Sequence, residues 1–323
     1  MKMIAFAVEQ AEREIFQRFC GDYGIELTMI SEKPGMENIS LTEGMDCINV
    51  LSDVVLTPEM WDIYKKNGVR MAVTRTIGME HMNKEYAASI GIPVRNITYS
   101  PASVADSAVM MMLMSLRHVK AAMSRYAGQD YTMAGLRGRE MHNMTVGIIG
   151  AGRIGITTAR ELSGFGCRIL YWNRTEKPEM EGIGEYVPLE TLLAESDIVS
   201  LHLASNEETY HFINHETIGR MKTGGVLVNT ARGPLVDNEA LIEALESGKL
   251  GGTALDVFDG DRYIYYRDHK NEVVGHRQMA ILNAMPNVLM LPHMAYFTDQ
   301  AVEDMVHNSL IAAYEMEKEV EAC

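Results

Sequence analysis

Three short segments carry chemically capable side chains in a fixed order. They are Asn229-Thr230-Ala231-Arg232-Gly233-Pro234-Leu235-Val236-Asp237, Ala254-Leu255-Asp256-Val257-Phe258-Asp259-Gly260-Asp261 and Leu291-Pro292-His293-Met294-Ala295. Arg232 offers a planar fork of donors matched to a carboxylate. His293 exchanges a proton near neutral pH, so it suits general acid–base work. Asp261 is the carboxylate expected to orient that imidazole and keep it protonated. A cation for a carboxylate and an acid for a carbonyl oxygen suit the reduction of a 2-oxo acid, once a hydride donor is supplied. Each residue alone has a plainer role: Arg232 as a surface loop charge, Asp256 as a helix cap, His293 as a satisfied turn histidine. All three in order behind a nucleotide motif make that joint explanation weak.

The motif is Gly150-Ala151-Gly152-Arg153-Ile154-Gly155, directly after the apolar run Val146–Ile149. A lone G-x-G-x-x-G is a weak signal, but here it follows a strand pattern and opens a helix, which is the required context. Gly150 serves the tight turn, Gly152 the approach of a pyrophosphate, and Gly155 the close packing of helix on strand. The N–H groups around Arg153 and Ile154 then face the phosphates. An NAD site usually ends its second strand on Asp or Glu. This chain reads Trp172-Asn173-Arg174-Thr175 instead. A carboxylate would repel a 2′-phosphate and an arginine would bind one, so NADP(H) is favoured, with NAD(H) the alternative. Thr230, Ala231 and Asp256 are expected on the cofactor side of the same strand ends. The pattern calls for no metal.

These loops need strands to end at one sheet edge. Met3–Val8, Cys47–Leu51 and Arg70–Thr74 read as buried strands, with Ala11–Tyr23, Pro58–Asn67 and Met82–Ile90 as helices between them and Pro93–Asn96 as a last short strand. A second series has strands at Thr145–Ile149, Arg168–Trp172, Ile198–His202, Val226–Asn229, Gly252–Asp256 and Val288–Leu291. Alternating strands and helices predict α/β architecture with parallel sheets. Between the series, Ser103 to about Tyr126 reads as one helix, apolar on most sides. It is expected to bury between domains or against a second subunit. A final amphipathic helix, Asp299 to about Glu319, is expected to return to the first domain.

The chain has 323 residues, 47% of them apolar, and a net charge of −15. That balance argues against a nucleic-acid binder. An anionic substrate must be drawn in by a local cation. Cys20, Cys47, Cys167 and Cys323 lack metal spacing and read as thiols in a reducing cytosol. The opening MKMIAFAVEQ has no signal-peptide core, and no stretch reaches transmembrane length, so the expected location is the cytoplasm with no membrane partner. Met110, Met111, Met112 and Met114 read as core packing.

On these motifs the chain resembles the D-isomer-specific 2-hydroxyacid dehydrogenases over essentially its whole length. Further support comes from Thr74-Arg75-Thr76-Ile77-Gly78, Tyr99-Ser100-Pro101-Ala102-Ser103-Val104-Ala105 and Pro292-His293-Met294-Ala295-Tyr296-Phe297-Thr298. Within the family it is similar to the D-lactate dehydrogenase branch of the vancomycin-resistance type. The resemblance implies a flavodoxin-like substrate domain from residues 1–100 and 297–323, with a Rossmann dinucleotide domain, 101–296, inserted between them. It implies a homodimer, a site in the cleft, and pyruvate as the favoured substrate. It gives Ile77 and Gly78 as N–H donors to the substrate carboxylate, and Tyr99 and Tyr296 as side chains at the pocket. Departures are Asp261 where the family usually has Glu, Ala204 for a turn proline, Asn173 for the NAD-type acid, and Glu80 and Asn83 after the glycine loop. The alternatives are a reductase of bulkier branched or aromatic 2-oxo acids, or of glyoxylate or hydroxypyruvate; a phosphoglycerate dehydrogenase, expected to carry a further regulatory domain; and a nucleotide-sensing, corepressor-like binding protein.

Overall fold

A computed structural model describes residues 1–51 and 54–321. The chain divides into two compact units, Met1–Ser100 with Phe297–Cys323, and Pro101–Tyr296. Cys323 lies outside the described residues.

The first unit runs β1 (Lys2–Phe6), α1 (Gln10–Phe19), β2 (Glu26–Met29), β3 (Cys47–Val50), α2 (Pro58–Lys66), β4 (Met71–Thr74), α3 (Lys84–Ser89) and β5 (Val94–Arg95). Its sheet is parallel throughout, in the order β2-β1-β3-β4-β5. That is the flavodoxin-like doubly wound order. β3 and β4 are buried along their whole length, as expected of strands covered on both faces. Trp61 and Tyr64 of α2 cover one face, packed on Ile48, Val50 and Ala72. α2 starts cleanly because Thr57 accepts the Met60 N–H and Pro58 takes the first helical position.

The second unit opens on α4 (Ala102–Leu116) and α5 (Val119–Ala127). It continues through β6 (Thr145–Ile149), α6 (Arg153–Ser163), β7 (Arg168–Trp172), β8 (Glu185–Tyr186), α7 (Leu189–Glu195), β9 (Ile198–Leu201), α8 (His215–Arg220), β10 (Gly225–Asn229), α9 (Asn238–Glu246), β11 (Leu250–Leu255), α10 (Arg277–Ala284) and β12 (Val288–Met290). The order β12-β11-β10-β9-β6-β7-β8 is a parallel Rossmann sheet with one strand added at its far edge. The last helix, α11 (Asp299–Glu321), belongs to the first unit. Its Ser309 Oγ accepts from Asn49 of β3 at 2.8 Å, both side chains fully buried.

Four expectations change. The helix read over Ser103–Tyr126 is two helices, because His118 takes a left-handed φ of +52° and breaks the run. The apolar face of α4 is covered by its own unit: Ala108, Met111, Met112 and Leu116 pack on Val146, Ile148, Val226 and Val228. α5 buries nothing there. β2 and β8 also went unread. β2 alternates between exposed and half-buried residues, and β8 is two exposed residues, so neither has the continuous apolar run of a central strand. Of the methionines, Met111 and Met112 are core residues, while Met110 is 40% exposed.

Candidate active site

The glycine loop leaves buried β6 and turns into α6. Gly150 has φ +99°, and a Cβ on it would stand 2.6 Å from the His202 carbonyl oxygen. A Cβ on Gly155 would stand 2.0 Å from the Gly150 carbonyl oxygen. Both glycines are therefore demanded by the protein's own packing. Gly152 differs. Its φ of −83° suits any residue, and a Cβ there meets nothing within 4 Å. Its smallness keeps space clear at the N-terminus of α6, beside Arg153 and Ile154, where donors and dipole favour phosphate. Thr230, at the end of β10, supports the same use: its buried Oγ1 has no hydrogen-bond partner among the described residues. Buried hydroxyls are normally satisfied, so this one is suited to a ligand. These features fit a dinucleotide.

Asn173, at the end of β7, links this loop to the next. Its Oδ1 accepts the Ala151 N–H at 3.2 Å, and its Nδ2 donates to the Thr175 carbonyl at 2.9 Å. Arg174 is 84% exposed and stands 3.7 Å from Glu208. Such a pair in open solvent is weak, so the guanidinium can be recruited by another anion.

The turn after β10 is built by Asn229, which is buried. Its Oδ1 accepts the Ala231 N–H at 3.0 Å and its Nδ2 donates to the Arg232 carbonyl at 2.9 Å. Gly233 follows because a Cβ there would lie 2.1 Å from the Phe258 carbonyl oxygen. The Arg232 Nη1 donates to the Ala231 carbonyl at 2.8 Å. Its charge reaches both other candidates, holding down the pKa of Asp261 and of His293.

His293 sits in the turn after β12 with φ +54°, a backbone conformation that side chains with a Cβ seldom adopt. Asp256 fixes that turn. Its carbonyl accepts the His293 N–H at 2.8 Å, and its fully buried carboxylate accepts the Met294 and Ala295 N–H groups at 2.8 and 2.9 Å. Asp256 thus shapes the loop that carries the imidazole. Burial pushes its carboxyl up, and those two N–H groups oppose the rise. Asp261 is not hydrogen-bonded to His293. Its Oδ2 accepts the Phe258 N–H at 3.2 Å, and the imidazole makes no hydrogen bond or ion pair among the described residues. The short aspartate arm is spent on its own turn. Burial lifts Asp261 to about 6 against the Phe258 N–H and Arg232, with Asp259 and Asp256 adding to the rise. Burial and then Arg232 push His293 down to about 4. The ring is therefore neutral at pH 7, where the sequence led us to expect it protonated.

Tyr296 stands edge-on to the imidazole, ring centres 6.2 Å apart. Tyr266, which the sequence did not mark, lies 5.7 Å from the same ring. In the first unit, Ile77 and Gly78 follow β4 in a loop held by side chains. Asn96 Nδ2 donates to the Ile77 carbonyl at 2.6 Å, and Thr76 Oγ1 donates to the Gly78 carbonyl at 2.6 Å. Pinning the Ile77 carbonyl turns the Gly78 N–H of the same planar peptide the opposite way. Thr74 bonds both Thr76 (2.7 Å) and His81 (3.0 Å). The neighbouring Arg75 is fully buried and paired with Glu12 at 2.9 Å. Tyr99 is half-buried in the same unit, after β5.

Two flavodoxin-type and Rossmann-type parallel sheets, with a cation, an acid and a histidine at strand ends of the second, define a dinucleotide-dependent oxidoreductase. Residues 109–295 match the model of the "D-isomer specific 2-hydroxyacid dehydrogenase, NAD binding domain". A "D-specific alpha-keto acid dehydrogenase" of Enterococcus faecium is 37% identical over 316 residues, 98% of this chain and 97% of its own length. An "Aromatic 2-oxoacid reductase" of Clostridium sporogenes is 34% identical over 98% of this chain and 96% of its own. The crystal structure of a D-lactate dehydrogenase from Treponema pallidum superposes with a TM-score of 0.90 at 28% identity, covering 98% and 97% of the two chains. The chain belongs to the D-isomer-specific 2-hydroxyacid dehydrogenase family. It is an enzyme that reduces 2-oxo acids to D-2-hydroxy acids with a nicotinamide cofactor.

Proposed function

We propose that Arg232 binds the substrate carboxylate, that His293 is the acid for the carbonyl oxygen, and that Asp261 stabilises the imidazolium across space. The observation that carries this reading is that Arg232, Asp261 and His293 lie in the segments that follow β10, β11 and β12, three adjacent parallel strands, so that they share one sheet edge, where the charge of Arg232 lowers the pKa of both other groups. When a carboxylate neutralises Arg232, the smaller of the two causes that hold His293 down is removed, and the ring's affinity for the proton it will donate rises. Asp261, lifted to about 6, is mostly ionised at pH 7 and favours that imidazolium. Gly78, with Ile77, offers N–H groups to the same carboxylate, and Tyr99 and Tyr296 limit the substrate side chain. Gly150, Gly152, Arg153, Ile154, Gly155, Thr230 and Ala231 hold the dinucleotide, whose reduced nicotinamide supplies the hydride. Asp256 acts through the turn it fixes.

Pyruvate is the first choice of substrate and bulkier 2-oxo acids the second. Arg174, with no carboxylate at Asn173, favours NADPH over NADH. Exposed Met123 (65%), Tyr126 (70%), Tyr131 (68%) and Met133 (83%), on and after α5, support a homodimer. Free Cys20, Cys47 and Cys167 support a reducing cytoplasm. No described helix is long and apolar enough to cross a membrane, and no metal-binding cluster occurs among the described residues.

The test is loss of reduced-nicotinamide absorbance with pyruvate and either cofactor. His293→Gln should lower turnover by roughly 10²–10⁴-fold. Arg174→Ala should raise KM for NADPH by about tenfold and leave KM for NADH unchanged. Wild-type turnover in the histidine variant would remove the acid role. An equal effect of the arginine variant on both cofactors would remove the 2′-phosphate contact.

A further inference from the structure

Tyr266 stands outside the motifs, yet it touches the catalytic turn at two levels. Its hydroxyl donates to the His293 carbonyl at 2.8 Å. Its ring lies 5.7 Å from the imidazole, tilted by 34°. The same hydroxyl is hydrogen-bonded to Tyr296. Tyr266 as a residue is 54% exposed, but the protein packed around its hydroxyl, together with Tyr296, raises that hydroxyl above the ordinary phenol range, so it remains a donor at neutral pH. Tyr266 is itself left-handed, with φ +62°. Two residues that carry a Cβ therefore hold an unfavourable backbone conformation, and one is bonded to the peptide of the other. Such conformations persist where the surroundings over-determine them.

Asp256 secures the N–H side of the His293 turn by three bonds, none of which reaches the His293 carbonyl. That carbonyl is the free end of the strained residue, and Tyr266 holds it.

We infer that Tyr266 is a positioning residue for the known reaction: its hydroxyl locks the His293 carbonyl, which fixes the direction in which the imidazole presents its proton, and its link to Tyr296 ties a wall of the substrate site to the acid. This rests on the reading of His293 as the proton donor. Among the described residues the imidazole has no hydrogen-bonding partner of its own, so its direction is set through its backbone and the rings beside it. A misdirected donor slows the chemical step without weakening the hold on substrate.

The experiment is a double-mutant cycle on the full-length enzyme with Tyr266→Phe and His293→Gln. Tyr266→Phe keeps the ring and removes the hydroxyl. It should lower kcat about tenfold, leave KM within about twofold, and keep the melting temperature close to wild type. In the His293→Gln background it should change kcat by less than about twofold, because a residue that acts only through the imidazole has nothing left to direct. An unchanged kcat in Tyr266→Phe overturns the inference. So does a tenfold loss that persists in the His293→Gln background, which would give Tyr266 a role of its own. Failure of the underlying reading is distinguishable: His293→Gln alone would then turn over like wild type.

Discussion

The left-handed φ of His293 places unfavourable energy on the residue that must move a proton, on the order of 1–2 kcal/mol for a residue with a Cβ. Asp256 offsets it from a buried position, with its carbonyl and both carboxylate oxygens directed at one turn. Because the neutral ring is held down near pH 4 partly by Arg232, substrate and proton should bind together. Oxamate, an unreactive isostere of pyruvate, should raise the His293 pKa, so that adding it to the enzyme with reduced cofactor draws up protons near pH 5 and progressively fewer towards pH 7, where burial still holds the ring down. An indicator dye in weak buffer measures this, and no uptake would mean that Arg232 and His293 are not coupled. Arg232, Asp261 and His293 could be singled out in the sequence because the proposed chemistry demands their types, whereas the failure of Asp261 to bond the imidazole could not be read there. Tyr266 itself could not be singled out. It is separated from His293 by 27 positions, and its use depends on a backbone conformation that no residue type announces.

At the level of elements, the βα turn from β6 to α6 shows why some features are readable. Gly150 and Gly155 are forced by contact with the protein's own carbonyls. Gly152 is forced by nothing in the protein, so its presence points to a ligand. The two kinds of glycine should separate on mutation. Gly155→Ala should lower stability by about 1–3 kcal/mol through overpacking. Gly152→Ala should fold like wild type but weaken NADH and NADPH alike, by about tenfold or more. Calorimetry for unfolding and fluorescence titration for cofactor would tell them apart, and wild-type affinity in Gly152→Ala would show that the open space is not used. Strands with continuous apolar runs, such as β4 and β10, announce themselves. The exposed edges β2 and β8 do not, because their place is set by pairing with β1 and β7. The break between α4 and α5 lacks Gly or Pro. It is made by a histidine in a left-handed turn, which periodicity does not reveal.

For the molecule as a whole, several ionisable groups in the second unit are held away from their ordinary values, and they oppose one another. Burial pushes His202 down to about 4; its Nε2 is 3.0 Å from Ser200 Oγ. A histidine that titrates near 6.5 when unfolded and near 4 when folded keeps its full contribution above pH 6.5 and loses it as pH falls to 4. The upper limit is about 3 kcal/mol, less what solvent reaching this half-buried ring takes away. Glu161, lifted to about 7 by burial and then Asp106, and Asp261, lifted to about 6, act with the opposite sign and favour the folded state as they are protonated. The urea midpoint of His202→Asn should therefore fall less than that of wild type between pH 7 and 4.5. Parallel slopes in the two proteins would show that His202 does not contribute to acid sensitivity.

The position of α11 bears on how the protein is made. Its Ala301, Met305, Val306, Leu310 and Ala313 are buried, and Ser309 reaches Asn49 in the middle of the first sheet. The second unit is a continuous stretch of chain, whereas the first is assembled from segments almost two hundred positions apart. On the ribosome, residues 101–296 emerge with everything their sheet needs. The first hundred residues, although translated earlier, must wait for α11 before one side of their sheet is covered. The unit translated first is thus completed last, and the interval leaves β1, β3 and β4 dependent on protection from aggregation until the final helix arrives.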